Sequence, residues 1–207
     1  MNVLVIGAAG KTGSLVVDRA VAGGHTVTAF VRDAKSYRPA AANLRVVEGD
    51  AADAAKLGSA MAGQHAVIDT IGGKTPYLNT DLERNVARAI LAAMKQHAVR
   101  RLIVVSALGV GDSKHQGGFM FEHLVLPTFL RGSTRDKAAT EQIVRESGVD
   151  FVLVRPAVLT DRPATGSVRV VVGREQARKI TRADVAQFIV DQLQSDAYLG
   201  QAVTIAN

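Results

Sequence analysis

The stretch Val3-Leu-Val-Ile-Gly7-Ala-Ala-Gly10-Lys-Thr-Gly13-Ser-Leu15 constrains this chain more than any other. A β-branched run passes into three glycines separated by two residues each, and an apolar helical pattern (Leu15, Val16, Ala20, Val21) follows directly. The order predicts a strand, a tight turn and a helix start in succession. Glycines let backbone N–H groups approach a phosphate with no Cβ in the way, and the helix start adds unpaired donors and partial positive charge. The expected structure is a pyrophosphate cradle at the carboxyl end of the first strand of a doubly wound sheet. The spacing is G-x-x-G-x-x-G, not G-x-G-x-x-G, so its place between strand and helix carries the reading. A glycine-rich turn in an α/β protein that binds no nucleotide is the alternative.

Further strands are expected at Thr26–Val31, Asn43–Val47, Ala66–Ile71, Arg101–Ser106, Asp150–Val154, Val168–Val172 and Ala202–Ile205, where β-branched and apolar residues cluster. Helices are expected from Asp53 to Met61, Leu82 to Met94, Asp136 to Glu146 and Thr181 to Leu193. Leu82, Val86, Ile90 and Met94 share one face of the second of these and belong to the core. Thr181-Arg-Ala-Asp184 resembles a capping box, with Asp in place of Glu. This alternation implies a mostly parallel sheet covered on both faces. Residues 107–132 break it: glycines punctuate an apolar run, Phe119 to Phe129, that suits a substrate lid or a subunit contact. The whole chain, 1–207, is expected to form a single domain.

The end of the second strand reports on the nucleotide. An acidic residue there holds the ribose 2′-OH of NAD, whereas an Arg accommodates the 2′-phosphate of NADP. Arg32 comes first, and Lys35 and Arg38 follow, so cations outnumber Asp33 and NADP(H) is favoured. A solvated loop in which Arg32 pairs with Asp33 is the bland alternative. Asp50, past the third strand, either accepts from the adenine amino group or belongs to the turn before the helix at Asp53. Gly72-Gly73 permits close approach to the cofactor's ribose or nicotinamide side, or forms a plain turn. Asp69, inside a strand, requires a partner that the sequence does not name.

Several classes are excluded or disfavoured. The absence of cysteine removes disulfides, thiolate catalysis and cysteine metal sites. The five histidines form no metal-binding pair, and no G-x-S-x-G elbow supports a hydrolase. A net charge of +6 favours anionic ligands, but the basic residues are scattered and aromatics are few, so nucleic-acid binding is not expected. No apolar run reaches the roughly 20 residues of a membrane helix. Because the first residues are already the nucleotide strand, no signal peptide is expected and a cytoplasmic protein is.

For chemistry, Ser106 sits where ligands of open α/β sheets bind, outside a strand's carboxyl end, or else caps a turn. Arg155 holds a substrate anion or pairs on the surface. Lys137 reaches a ribose or is solvated, and Asn85 serves the site or lies on an exposed face. His123 is the histidine best placed to donate a proton.

Gly7-Ala-Ala-Gly10-Lys-Thr-Gly13, Val31-Arg32-Asp33, Gly49-Asp50, Val104-Val-Ser106-Ala107, Arg145-Glu-Ser-Gly148, Arg155-Pro156, Asp161–Gly166 and Ile180–Ala186 together resemble the atypical short-chain dehydrogenase/reductase group. Within it the chain is most similar to the NAD(P)H-binding, NmrA-like proteins of the flavin reductase/biliverdin-IXβ reductase type. The resemblance implies a Rossmann-like three-layer α/β/α fold and an NADPH-dependent reductase of a flavin-like or other conjugated small molecule. It implies cofactor contacts from Gly7, Ala9, Gly10, Lys11, Thr12, Gly13, Arg32, Asp50, Ala51, Ile71, Gly72, Gly73, Ser106, Lys137 and Pro156, with Ser106 and His123 as catalytic candidates in a monomer or homodimer. Two departures narrow this. None of Tyr37, Tyr77 or Tyr198 has Lys four residues on, as the family's carbonyl reductases and epimerases require. Ala157 and Val158 stand where the resembled type carries Pro and His in a Pro-Pro-His run. A ketone's alkoxide needs a nearby acid, whereas a conjugated acceptor spreads the charge and takes its proton from water. The alternatives are an NADP(H)-sensing regulator without turnover and a nucleotide-sugar epimerase or dehydratase.

Overall fold

The computed structural model describes all residues except Arg38, Ala40, Lys74, Pro76 and Asn79. The chain alternates β1 (Asn2–Ile6), α1 (Lys11–Ala22), β2 (Thr26–Val31), β3 (Leu44–Glu48), α2 (Ala54–Met61), β4 (Ala66–Asp69), α3 (Leu82–Gln96) and β5 (Arg101–Val105). The irregular segment 107–130 then leads through α4 (Leu126–Thr128) to α5 (Arg131–Arg145) and β6 (Asp150–Pro156). β7 (Val158–Thr160), β8 (Arg169–Val171), β9 (Lys179–Thr181), α6 (Arg182–Asp191) and β10 (Gln201–Ala206) complete the chain.

Eight strands form the main sheet in the order β3-β2-β1-β4-β5-β6-β10-β8, parallel throughout except for the antiparallel β10–β8 pair. β1 alternates its side chains between two cores, as a strand buried on both faces must. Val3 and Val5 join Val16, Val17 and Ala20 of α1 and Val185 and Ile189 of α6 on one face. Leu4 and Ile6 join Leu57 of α2, Val86 and Ile90 of α3 and Val144 of α5 on the other. The result is the three-layer, Rossmann-like arrangement the alternation implies. The chain leaves β1 towards β2 and β3 on one side and returns to β4 on the other, so strand order reverses between β1 and β4. A crevice at the carboxyl ends of the strands forms at that point.

The differences from expectation are local. α5 begins at Arg131 rather than Asp136, and the two short strands β7 and β9 pair with each other in a small sheet of their own. Leu82 lies at the end of α3 that borders the crevice and is 38% exposed, rather than in the core. Thr181 does cap α6, its hydroxyl accepting from the Asp184 N–H at 3.0 Å. Asp184, however, does not reach back to the cap's amide. Its carboxylate instead accepts from the Thr165 and Gly166 N–H groups and from Asn207, tying the 161–166 loop and the chain end to the helix. Against the opposing effect of burial, the Thr165 and Gly166 amides and the Thr181 and Thr165 hydroxyls hold the carboxyl down at about 2.

Candidate functional site

A groove of about 480 Å³ crosses the carboxyl ends of β3, β2, β1 and β4. Gly7, Ala9 and Gly10 form its floor, Arg32, Asp50 and Ala51 one end, and Ile71, Gly72 and Gly73 the other. Nine residues expected from the sequence to contact a cofactor therefore share one wall-to-wall surface. Phe30, Val31, Gly49, Thr70, Thr75, Thr80, Leu82 and Val86 also line it. Thr75 and Thr80 carried no sequence signal, because only folding brings them to the groove that the β1 turn lines.

The glycines have separable duties. Gly7 adopts φ +79°, and a Cβ there would sit 2.9 Å from Thr70 Oγ1. At Gly13 a Cβ would approach the Gly7 carbonyl oxygen to 2.2 Å, so this glycine permits α1 to pack against β1 and does not line the groove. No side chain caps α1, whose N-cap is Gly10. The first-turn amides of Lys11, Thr12 and Gly13 are thus left for an anion, the arrangement a nucleotide diphosphate requires. A Cβ on Gly72 would meet nothing within 4 Å, which leaves that wall open to a ligand. The groove fits a nicotinamide dinucleotide.

Arg32 is exposed at the groove's end and makes no ion pair with Asp33. The Asp33 carboxylate is occupied locally, accepting from the Lys35 N–H at 2.8 Å. Arg38 lies outside the described residues. Asp50 borders the groove and belongs to the turn before α2, accepting the Ala52 N–H at 2.9 Å, while Asp53 caps α2.

Other candidates lie away from the groove's lining. The Lys11 ammonium projects outward to Asp161 at 3.1 Å, with both side chains exposed. The Ser106 hydroxyl is buried and donates to Glu141 at 2.6 Å. Glu141 also binds Arg155 through both oxygens, at 2.8 and 2.6 Å, and Arg155 reaches Asp112 at 2.5 Å. Arg155 is 2% exposed, so its pairing is internal and not on the surface. Through Asp112 it ties the turn Gly111–Gly117 to the core. Pro156 is buried at the end of β6, and Asn85 is exposed, accepting from Arg88.

Lys137 is neither solvated nor in the groove's lining. Its ammonium is buried and donates to Glu83 at 2.6 Å and to the Val105 carbonyl at 3.3 Å. Asp69 accepts the Ile71 N–H at 2.9 Å, and burial pushes its carboxyl up to about 7. The sequence signal missed here is Glu83, an acid at the buried start of an amphipathic helix. His123 is exposed, its ring edge-on to Phe119 with centroids 4.4 Å apart. Its segment presents Phe119, Met120, Leu124 and Phe129 to solvent. Among the described residues no helix is long and apolar enough to cross a membrane, and no group of three or more His, Cys, Asp or Glu side chains could hold a metal.

Comparison with known proteins agrees with this geometry. Residues 7–196 match the NAD(P)H-binding family. The uncharacterized sugar epimerase YhfK of Bacillus subtilis (strain 168) is 30% identical over 204 residues, spanning 93% of this chain and 88% of its own. Among solved structures, ChuY, an anaerobillin reductase from Escherichia coli O157:H7, superposes with a TM-score of 0.82 at 26% identity, covering 100% of this chain and 97% of that one. A Rossmann-fold NAD(P)-binding family protein from Shigella flexneri gives 0.77, also at 26% identity, over 100% of this chain and 93% of its own. With a nicotinamide-nucleotide groove on an oxidoreductase fold, the chain belongs to the NAD(P)H-binding family, in the atypical short-chain dehydrogenase/reductase, NmrA-like group.

Proposed function

We propose that the protein is an NADPH-dependent reductase of a flavin-like or other conjugated small-molecule acceptor. The first-turn amides of α1 would hold the diphosphate and Arg32 the 2′-phosphate, with Asp50 beside the adenine. NADPH supplies the hydride when bound. Alignment of the two reactants is the protein's main contribution to rate, with the 107–132 segment as a substrate lid or a subunit contact.

The observation that carries the acceptor class is the lack of a proton donor in the groove's lining among the described residues. The Lys137 ammonium is committed to Glu83 and Val105, and the residue four positions before it is Ser133. No tyrosine, histidine or lysine lines the groove among the described residues. Burial, aided by the Asp18 charge, pushes the Tyr37 phenol up to about 12, which unsuits it to donate a proton at neutral pH. An acceptor that delocalises the incoming charge needs no such donor. The likeness to YhfK, whose name is that of a sugar epimerase, favours a second reading, epimerase-like turnover of a sugar such as a nucleotide sugar.

The tests are NADPH oxidation, followed at the nicotinamide absorbance with FMN, FAD, quinones, linear tetrapyrroles and simple ketones, and chromatography of nucleotide sugars incubated with the protein, since their epimerisation or dehydration oxidises no NADPH overall. Turnover with a conjugated acceptor and none with ketones is expected. Nucleotide-sugar conversion would replace the reading by the epimerase one, and no turnover at all would leave an NADP(H)-sensing regulator. Arg32→Ala should weaken NADPH binding at least tenfold and leave NADH within twofold, since a lost charge-assisted contact costs about 1.5–3 kcal/mol. Equal losses would refute the NADP preference.

A further inference from the structure

The Ile71–Gly73 wall of the groove is held from behind by buried charge. Glu83 Oε1 accepts the Gly73 N–H at 3.2 Å, and its Oε2 receives the Lys137 ammonium at 2.6 Å. Two residues nearer β4, Asp69 holds the Ile71 N–H. Between these anchored amides Gly72 faces open space.

Glu83 is itself fixed. α3 has no side-chain cap of its own, because Asp81 sits in the left-handed region at φ 53° and makes no capping bond. Asp136, one residue before Lys137 on α5, supplies the missing acceptor: it takes the Glu83 N–H at 2.9 Å and the Arg84 N–H at 3.3 Å. Glu83, Asp136 and Lys137 are each at least nine-tenths buried. A buried ion pair of this kind adds little to stability over an apolar packing, and its best-attested use is to enforce one registry. Here the registry enforced is that of a groove wall.

The wall lies on the β4 side of the β1 glycine turn, opposite Arg32 and Asp50 on the β2 and β3 side. A dinucleotide with its adenine half at Arg32 and its diphosphate over the turn runs its nicotinamide half past this wall.

We propose that Glu83, clamped by Lys137 and Asp136, is a positioning residue: it holds the Gly73 amide and so sets the wall against which the nicotinamide half of the cofactor lies. The inference rests on nicotinamide-nucleotide binding in the groove and is independent of the acceptor. It also ties the groove to α5, the helix that follows the 107–130 segment.

The test compares each dinucleotide with its own adenine half by titration calorimetry. NADPH is set against 2′,5′-ADP, and NADH against ADP, in wild type, Glu83→Ala and Glu83→Asp. Asp keeps the charge opposite Lys137 but withdraws the carboxylate from Gly73 by one methylene, so it tests the same contact in a protein that retains the ion pair. Both variants should lose at least fivefold in dinucleotide affinity while the adenine halves stay within twofold. Amide hydrogen exchange should quicken in peptides containing Ile71–Gly73 and not in β1. Equal weakening of both ligands, or faster exchange throughout the sheet, would mark Glu83 as merely structural and overturn the proposal. Unchanged dinucleotide affinity would do the same. A wild type that binds neither dinucleotide would overturn the groove assignment itself, an outcome distinct from the other three.

Discussion

Replacing Asp69 by Asn should stabilise the protein, and only above acid pH. The carboxyl is 3% exposed on β4. Burial raises it from 3.8 to about 7, opposed by the Ile71 N–H and the Lys137 charge and reinforced by the Glu83 charge. Its pKa is higher folded than unfolded, so between about pH 4 and 7 the native state binds a proton that the unfolded chain has lost. Stability therefore falls as pH rises through that window and levels off above it. At about 1.4 kcal/mol per pH unit, the difference from 3.8 amounts to about 4 kcal/mol. Asn keeps an oxygen for the Ile71 N–H and removes the ionisation, but its NH₂ must find an acceptor in the same pocket. The expected net gain at pH 8 is about 2–4 kcal/mol. Urea unfolding of both proteins from pH 4 to 9 measures it. The gap should widen from pH 4 to 7 and then stay constant. A variant that is less stable at pH 8, or a gap independent of pH, would refute the reasoning.

Gly13→Ala places a methyl 2.2 Å from the Gly7 carbonyl oxygen, a backbone atom with no freedom to yield. Unfolding free energy should fall by about 1–3 kcal/mol or more and nucleotide affinity with it, and unchanged urea midpoints would count against the packing role. Arg155→Met leaves Glu141 buried and without its main counter-charge. A loss of about 3–5 kcal/mol is expected in the same assay, and a loss below 1 would mean that Glu141 relaxes towards solvent.

Local chemistry made much of this molecule legible. The β1–α1 turn follows from glycine's freedom at Gly7 and from a β-branched run that can only be a doubly buried strand. The bounds of β2 matched its sequence pattern at Thr26–Val31, and Asp53 and Thr181 both cap the helices they precede. The place of Arg32 at the groove's end was readable as well, because it depends only on lying at a strand's end. β7 and β9 were not: at three residues each, they have too short a pattern to stand out, and each exists because the other is beside it.

What the order of residues settled by itself was a mostly parallel α/β sheet with a glycine-lined strand-to-helix turn at its start, since strand periodicity and glycine backbones act within a few residues. What only the tertiary structure settled was the burial and partnership of the polar side chains. Glu83 and Lys137 stand 54 residues apart, and Ser106 and Glu141 stand 35 apart. Lys137 reads locally as a ribose contact or a solvated group and Ser106 as a ligand contact or a turn cap, whereas Glu83 and Glu141 carry no local sign of their partners. Their charges are tolerable in the interior only because folding brings opposite charges and backbone donors within hydrogen-bond reach, a condition that no short stretch of sequence encodes.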